Sequence, residues 1–123
     1  RQANPEADYR KLLASAGRKY ELGRFNEAIA DYKRALAVKP TAAAHTGLAR
    51  ALYDANRTDE AVREVKVALD EDPRYAPAWL MLGELNQAQG KKAAAKAAYE
   101  KFLALSPKGE QARAVREILS KLR

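Results

Sequence analysis

Cysteine is absent from the 123 residues, which excludes disulfides, thiolate zinc sites and cysteine nucleophiles and leaves the redox compartment open. A single histidine, His45, is too few for a histidine-rich metal site or a His-based proton relay. No apolar run approaches the roughly 18 residues that a membrane-spanning helix requires. The N-terminal stretch RQANPEADYRK has neither an apolar core region nor an initiating Met, so it does not read as a signal peptide. The chain is expected to be a piece of a longer protein. What is present, 47% apolar and 32% charged residues, belongs to a folding chain and not to a disordered or membrane-embedded one. The length fits about one domain.

Glycine, proline and asparagine recur at regular distances, and the stretches between them are rich in Ala, Leu, Lys, Arg and Glu, which favour helix. Pro40, Pro73 and Pro107 are separated by 33 and 34 residues, a period that marks a repeat array. Alignment on these prolines brings three units into register. GRFNEAIADYKRALAVKP supplies Ala28, Tyr32, Ala35 and Pro40; NRTDEAVREVKVALDEDP supplies Ala61, Val65, Ala68 and Pro73; GKKAAAKAAYEKFLALSP supplies Ala95, Tyr99, Phe102 and Pro107. Gly23, Asn56 and Gly90 open the units at the same place, where a sharp helix-to-helix turn needs a left-handed backbone that Gly tolerates best and Asn next. Upstream of each turn lies a second periodic segment: Leu12, Ala16 and Tyr20; His45, Leu48, Ala49 and Leu52; Trp79, Leu82 and Gly83. Each unit is therefore expected to be a helical hairpin. Ala16, Ala28, Ala49, Ala61, Gly83 and Ala95 recur where the two helices of a hairpin approach, and bulk there would push the axes beyond the usual 8 to 10 Å.

The series of a bulky residue, Leu, a small residue and Tyr, followed by Gly, Ala, an aromatic, Ala and Pro, resembles the tetratricopeptide repeat. WLMLGELNQAQGKKAAAKAAYEKFLALSP and YELGRFNEAIADYKRALAVKP carry the likeness most fully, and it spans about 100 residues. Ser15 and Lys19 depart from the pattern where Leu and Tyr are usual, Asn86 stands for a Tyr, and Phe102 occupies a place that normally holds Ala. The resemblance implies an all-α, right-handed solenoid of antiparallel helical hairpins, with repeats at about 9–41, 42–75 and 76–109, in a single domain over 1–123. It also places Trp79 in the core. KGEQARAVREILSKLR, with Ala112, Val115, Leu119 and Leu122 at helical spacing, reads as a capping helix over about 109–121, because solenoid ends need a polar outer surface. Arg113, Arg116 and Ser120 in the key places argue against a fourth repeat. Helices are expected at 6–22, 25–38, 42–55, 58–71, 76–89, 92–105 and 109–121.

Nothing in the chain supports an enzyme, a cofactor site or a metal site. Asp70, Glu71 and Asp72 read as a solvated helix end, since P-R-Y follows where further oxygen ligands would be needed. Gly17 and Gly23 do not form a phosphate-cradling loop, His45 reads as packing, and Ser15, Ser106 and Ser120 have no histidine partner. The formal net charge of +7 raises nucleic acid as an alternative partner. Its distribution argues against a continuous basic stripe. Residues 1–41 carry nine basic against five acidic side chains, 42–73 four against seven, and 74–123 ten against four. Binding of nucleic acid by the basic terminal repeats is the second reading, and the recurring Asn, Asp, Ser and Thr combination of pentatricopeptide RNA readers is missing.

The resemblance further implies that the first helices line a concave groove that binds a peptide or a helix of another protein, as a scaffold. An array that packs only against its neighbours leaves one extended face open. Helical spacing places Arg10, Leu13, Gly17, Tyr20 and Glu21, then Thr46, Arg50, Tyr53 and Asp54, then Leu80, Glu84 and Gln87 on that face. Tyr20 and Tyr53 occupy matching places in consecutive repeats and serve either the groove or hairpin packing; Arg50 reads as a binding residue. In the subclass that grips the C-terminal carboxylate of chaperone tails, the gripping Lys, Asn and Arg side chains stand where this chain has Leu13, Gly17, Gly47, Pro77 and Met81. The clamp is absent. The high Ala and Arg content looks bacterial, and for a bacterial chain the resemblance implies a scaffold of envelope assembly, motility, secretion or signalling. A monomer is expected, in the cytoplasm, or in the periplasm if the parent protein carries a signal.

Overall fold

The computed structural model describes residues 4–122, and the expected domain bounds at 1 and 123 lie outside the described residues. The described chain is all-α, in the order α1 (Pro5–Glu21), α2 (Phe25–Val38), α3 (Ala42–Asp54), α4 (Thr58–Glu71), α5 (Ala76–Ala88), α6 (Lys92–Leu105) and α7 (Glu110–Lys121). Each expected helix lies within one residue of these bounds. Helix starts are set by side chains that take up free amides: Asn4 accepts from the Ala7 amide, Thr41 accepts from the Ala44 amide at 3.1 Å, and Pro5 and Pro77 sit in the first turns of α1 and α5.

The turns within the three pairs stop in one way. Gly23, Asn56 and Gly90 have φ of 76°, 66° and 74°. The next residue's amide returns to a carbonyl five positions back: Arg24 to Lys19, Arg57 to Leu52 and Lys91 to Asn86, each at 2.8 Å. This is the double-bonded helix stop that a left-handed residue permits. It folds α1 on α2, α3 on α4 and α5 on α6, which are the most extensive packings in the chain.

Close approach inside the pairs rests on residues without bulk. Ala16, Ala28, Ala49, Ala61 and Ala95 are fully buried, and a Cβ built on Gly83 would stand 2.6 Å from the Tyr99 ring. A second face of each first helix packs on the preceding pair. In α3 it reads Ala44, Gly47 and Ala51, and in α5 Ala78, Met81 and Leu85, all buried except the half-buried Gly47, whose missing side chain is replaced by the Tyr32 ring. In α7 the same face reads Ala112, Val115 and Leu119, and it covers Leu80, Tyr99 and Phe102. The opposite side of α7, Arg113, Arg116 and Ser120, is exposed among the described residues. At the other end, α1 offers Lys11, Ala14 and Arg18 in the corresponding places, all exposed. The backbones of consecutive first helices approach closely (α1 with α3, α3 with α5), whereas among the described residues those of α2, α4 and α6 stay farther apart. First helices therefore form the inner side of a curve and second helices the outer.

Two departures from the repeat pattern have a structural cause. Asp31 on α2 is 2% exposed, and it accepts hydrogen bonds from Ser15 Oγ at 2.6 Å, Lys19 Nζ at 2.7 Å and Arg34 Nη1 at 2.7 Å. Ser15 and Lys19 stand where apolar residues are usual because a carboxylate faces them. Burial alone would raise the Asp31 pKa, but the hydrogen bonds from Lys19 and Ser15 and the nearby positive charges outweigh it and hold the carboxyl below its ordinary range.

Trp79 corrects the expectation of a core residue. It is only partly buried; its Nε1 donates to the Pro73 carbonyl at 2.8 Å and Lys101 Nζ lies 5.9 Å from its ring centroid. The small residues Ala94, Ala97 and Ala98 facing it leave an open notch of about 590 Å³, which the indole walls without being enclosed.

The Gly83→Ala variant should lose about 1–3 kcal/mol, because the buried Tyr99 ring cannot retreat. Gly17→Ala, where a Cβ meets nothing within 4 Å, should gain up to about 1 kcal/mol from helix propensity. Urea unfolding midpoints read both, and equal effects would contradict the assigned packing. Lys19→Ala should cost about 1–3 kcal/mol at neutral pH by leaving the occluded carboxylate short of a donor. Because the Asp31 pKa is lowered by folding, that stabilisation is present above the ordinary carboxylate pKa and is lost as pH falls through the folded value. The gap between Lys19→Ala and the parent should narrow in acid, as thermal melts across pH would show.

Candidate functional site

The concave side carries a connected set of polar and aromatic side chains from α1, α3, α5 and α6. Helical spacing puts Arg50, Tyr53 and Asp54 on one face of α3, and Glu84 and Gln87 on the facing stripe of α5. From α1, Tyr20 donates its hydroxyl proton to Asp54 Oδ2 and packs against Phe25 with ring centroids 5.5 Å apart. Arg50 Nη1 lies 3.8 Å from Glu84 Oε2, with about a third of each side chain exposed. From α6, Tyr99 donates its hydroxyl proton to Gln87 Oε1 at 2.6 Å. Tyr53, Glu84, Gln87, Ala88, Tyr99 and, from α7, Ile118 line a hollow of about 370 Å³.

The electrostatics follow from burial and from the two carboxylates. Burial first, then the hydrogen bond and the charge of Asp54, push the Tyr20 phenol up to about 12, against a smaller opposing effect of Arg50. Burial, the Glu84 charge and Tyr53 push Tyr99 up to about 12. Glu84 itself lies above its ordinary value, chiefly through burial and further through Asp54, with Arg50 opposing. Among the described residues Glu84 accepts no side-chain hydrogen bond, since 3.8 Å to Arg50 is too long for one.

Of the residues assigned to the groove from spacing, Tyr20, Arg50, Tyr53, Asp54, Glu84 and Gln87 come together. Arg10 does not join them: it is exposed on α1 and pairs with Glu6 at 3.3 Å. Leu13 is half-buried between two core clusters. Thr46 and Leu80 are 5% and 8% exposed, so they lie beneath the surface; Leu80 is packed under α7, and the Thr46 hydroxyl is buried without a hydrogen-bond partner. Tyr99 and Ile118, absent from the expected set, wall the hollow. Tyr99 had read as the packing aromatic of a second helix, and Ile118 enters only because α7 folds across the end of the groove. The places that the resemblance assigns to a carboxylate clamp are closed or apolar: Gly47 faces the Tyr32 ring and Met81 is fully buried. His45 is half-buried with Nδ1 2.7 Å from Glu64 Oε2, away from this surface. Among the described residues no group of three or more His, Cys, Asp or Glu is placed to hold a metal, and no helix is long and apolar enough to cross a membrane.

A curved stack of helical pairs with an uncovered inner face is a helical-repeat solenoid, and comparison with known proteins specifies which kind. The sequence pattern of the tetratricopeptide repeat matches residues 13–76 and 49–110. The chain belongs to the tetratricopeptide repeat family, with its right-handed array of hairpins. It is 31% identical over 105 residues to the Hsp70-Hsp90 organizing protein of Triticum aestivum, covering 85% of this chain and 18% of that protein. It is 34% identical over 58 residues to a TPR repeat-containing protein of Pseudomonas aeruginosa, covering 47% of this chain and 55% of the relative. The matched region is thus well short of the full length of either relative. Among solved structures, the second TPR domain of human RPAP3 in complex with the HSP70 peptide SGPTIEEVD superposes with a TM-score of 0.82 at 25% identity, over 97% of this chain and 98% of that one. The Arabidopsis OM64 TPR domain superposes with a TM-score of 0.86 at 18% identity, over 96% and 98% of the two chains.

The Tyr20 and Tyr99 phenols should ionise only near pH 12. Their raised values mean that the associated stability is intact below the ordinary phenol pKa and is lost as pH rises through the folded one. Ultraviolet titration of Asp54→Asn should bring one tyrosine back toward 10; an unchanged curve would refute the Tyr20–Asp54 bond.

Proposed function

We propose that the chain is a noncatalytic protein-interaction module that holds a peptide or helix of a partner protein in the concave groove. The observation that carries this is the convergence of Tyr20, Arg50, Tyr53, Asp54, Glu84 and Gln87 from three successive first helices on one uncovered face. Such a surface combines aromatic area, which binds at low entropic cost, with charges that set register. The fold-level likeness to domains solved with chaperone peptides supports a linear protein ligand. It does not extend to the ligand's identity, because Leu13, Gly17, Gly47, Pro77 and Met81 supply no cation for an acidic tail. A place in a bacterial assembly rests on composition and on the Pseudomonas relative.

The test is to recover a partner by crosslinking with the parent protein and to measure its affinity for variants. Arg50→Glu and Tyr53→Ala should each weaken it by at least about 1–2 kcal/mol with helicity unchanged. Arg63→Glu, exposed on the outer α4, should have no effect. A partner whose affinity ignores both groove variants would place the binding surface elsewhere.

A further inference from the structure

The polar centre of the groove is short of positive charge. The one guanidinium near Asp54 and Glu84 is that of Arg50, which sits one turn before Asp54 on α3 and reaches Glu84 only at 3.8 Å. The Asp54 carboxylate accepts the Tyr20 hydroxyl through one oxygen; the Glu84 carboxylate, among the described residues, accepts no hydrogen bond. A carboxylate offers about four acceptor positions, so most of the capacity here is unused. Beside Glu84 opens the 370 Å³ hollow, with Tyr53 and Tyr99 in its wall, Gln87 at its rim, and Ala88 and Ile118 as its apolar lining. The Tyr99 hydroxyl is occupied by Gln87 Oε1 and its ring is buried against Gly83, which leaves the half-buried Tyr53 as the available aromatic surface.

These are the features of a receptor for a long cationic side chain. An aliphatic stem can lie along Ala88 and Ile118, the charged head can reach Glu84, and the half-buried Tyr53 ring can attract a cation electrostatically. The charged side chains that meet on this face, Arg50, Asp54 and Glu84, are two acidic against one basic. Resting on the groove reading above, we propose that this hollow receives a lysine or arginine of the bound segment, so that the groove selects basic peptides and rejects acidic ones. The raised pKa of the half-buried Glu84, caused first by burial and then by Asp54, agrees with a carboxylate whose counter-charge is incomplete. It is the reverse of a site built for a carboxylate-terminated tail.

The experiment selects a random dodecapeptide display library on the full chain and measures the enriched peptides by fluorescence anisotropy against the parent, Glu84→Gln, Tyr53→Ala and Arg50→Glu. Glu84→Gln keeps the side chain's shape at a partly exposed place, and its circular dichroism and melting temperature serve as the check on folding. The expected result is a lysine or arginine at one fixed position in the enriched set, with about tenfold weaker binding when that residue is changed to glutamine or when Glu84→Gln is used. Both changes together should weaken binding little beyond either alone. Enriched peptides that lose affinity with Tyr53→Ala but carry no fixed basic residue, are acidic, or ignore Glu84→Gln would overturn the basic-segment proposal and leave the groove in place. Peptides that bind all variants alike would overturn the groove reading, and this proposal with it.

Discussion

Each inner helix of the array must lie close to two neighbours at once, its own partner and the preceding pair, and that requirement governs the rest of the structure. At α5 one side is opened by Gly83, which admits the Tyr99 ring, and the other is filled by Ala78, Met81 and Leu85. At α3 the two roles fall to Ala49 and to Ala44, Gly47 and Ala51. A helix with only two such faces keeps the remaining one free, and that free face becomes the wall of the groove. The binding surface is thus what remains after packing has been satisfied.

The ends follow from the same rule applied by halves. α7 keeps the face that docks on the preceding pair and carries Arg113, Arg116 and Ser120 where a partner helix would have to pack. α1 keeps the face that pairs with α2 and carries Lys11 and Arg18 where a preceding pair would dock. A buried arginine or lysine without a counter-charge costs several kcal/mol, so these substitutions make further stacking unfavourable at either end of the described array. Four of the 23 cationic side chains, Lys11, Arg18, Arg113 and Arg116, lie on these boundary faces.

The helix bounds, the three left-handed turns and the small packing residues were legible in the sequence because each depends on local geometry repeated at a fixed period. The interior of the groove was legible only in part. Spacing gives the angular position of Thr46 and Leu80 on their helices, but that position lies at the border between the inner face and the contact between successive first helices, and the neighbours decide the outcome. Tyr99 and Ile118 escaped for the converse reason: they come from elements outside the first-helix series and reach the hollow through tertiary placement. Ser15 and Lys19 showed as irregularities whose cause, the occluded Asp31, lies on another helix. Trp79 was misjudged because enclosure depends on the bulk of facing residues, and at the centre of the notch α6 presents Ala94, Ala97 and Ala98, with only Lys101 and Leu105 at its far end.

The wider backbone spacing of α2, α4 and α6 has a mechanical meaning. The elasticity of the array is lopsided: its inner rail is continuous, while its outer rail consists of struts joined only through the inner one. Successive pairs are seated on one another chiefly where α2 meets α3 and α4 meets α5, so any rotation between pairs would be taken up at those seams and would change the pitch and the width of the channel together. A guest that bridges α1 to α5 would act as a tie across the spring, stiffening it in proportion to the span it covers.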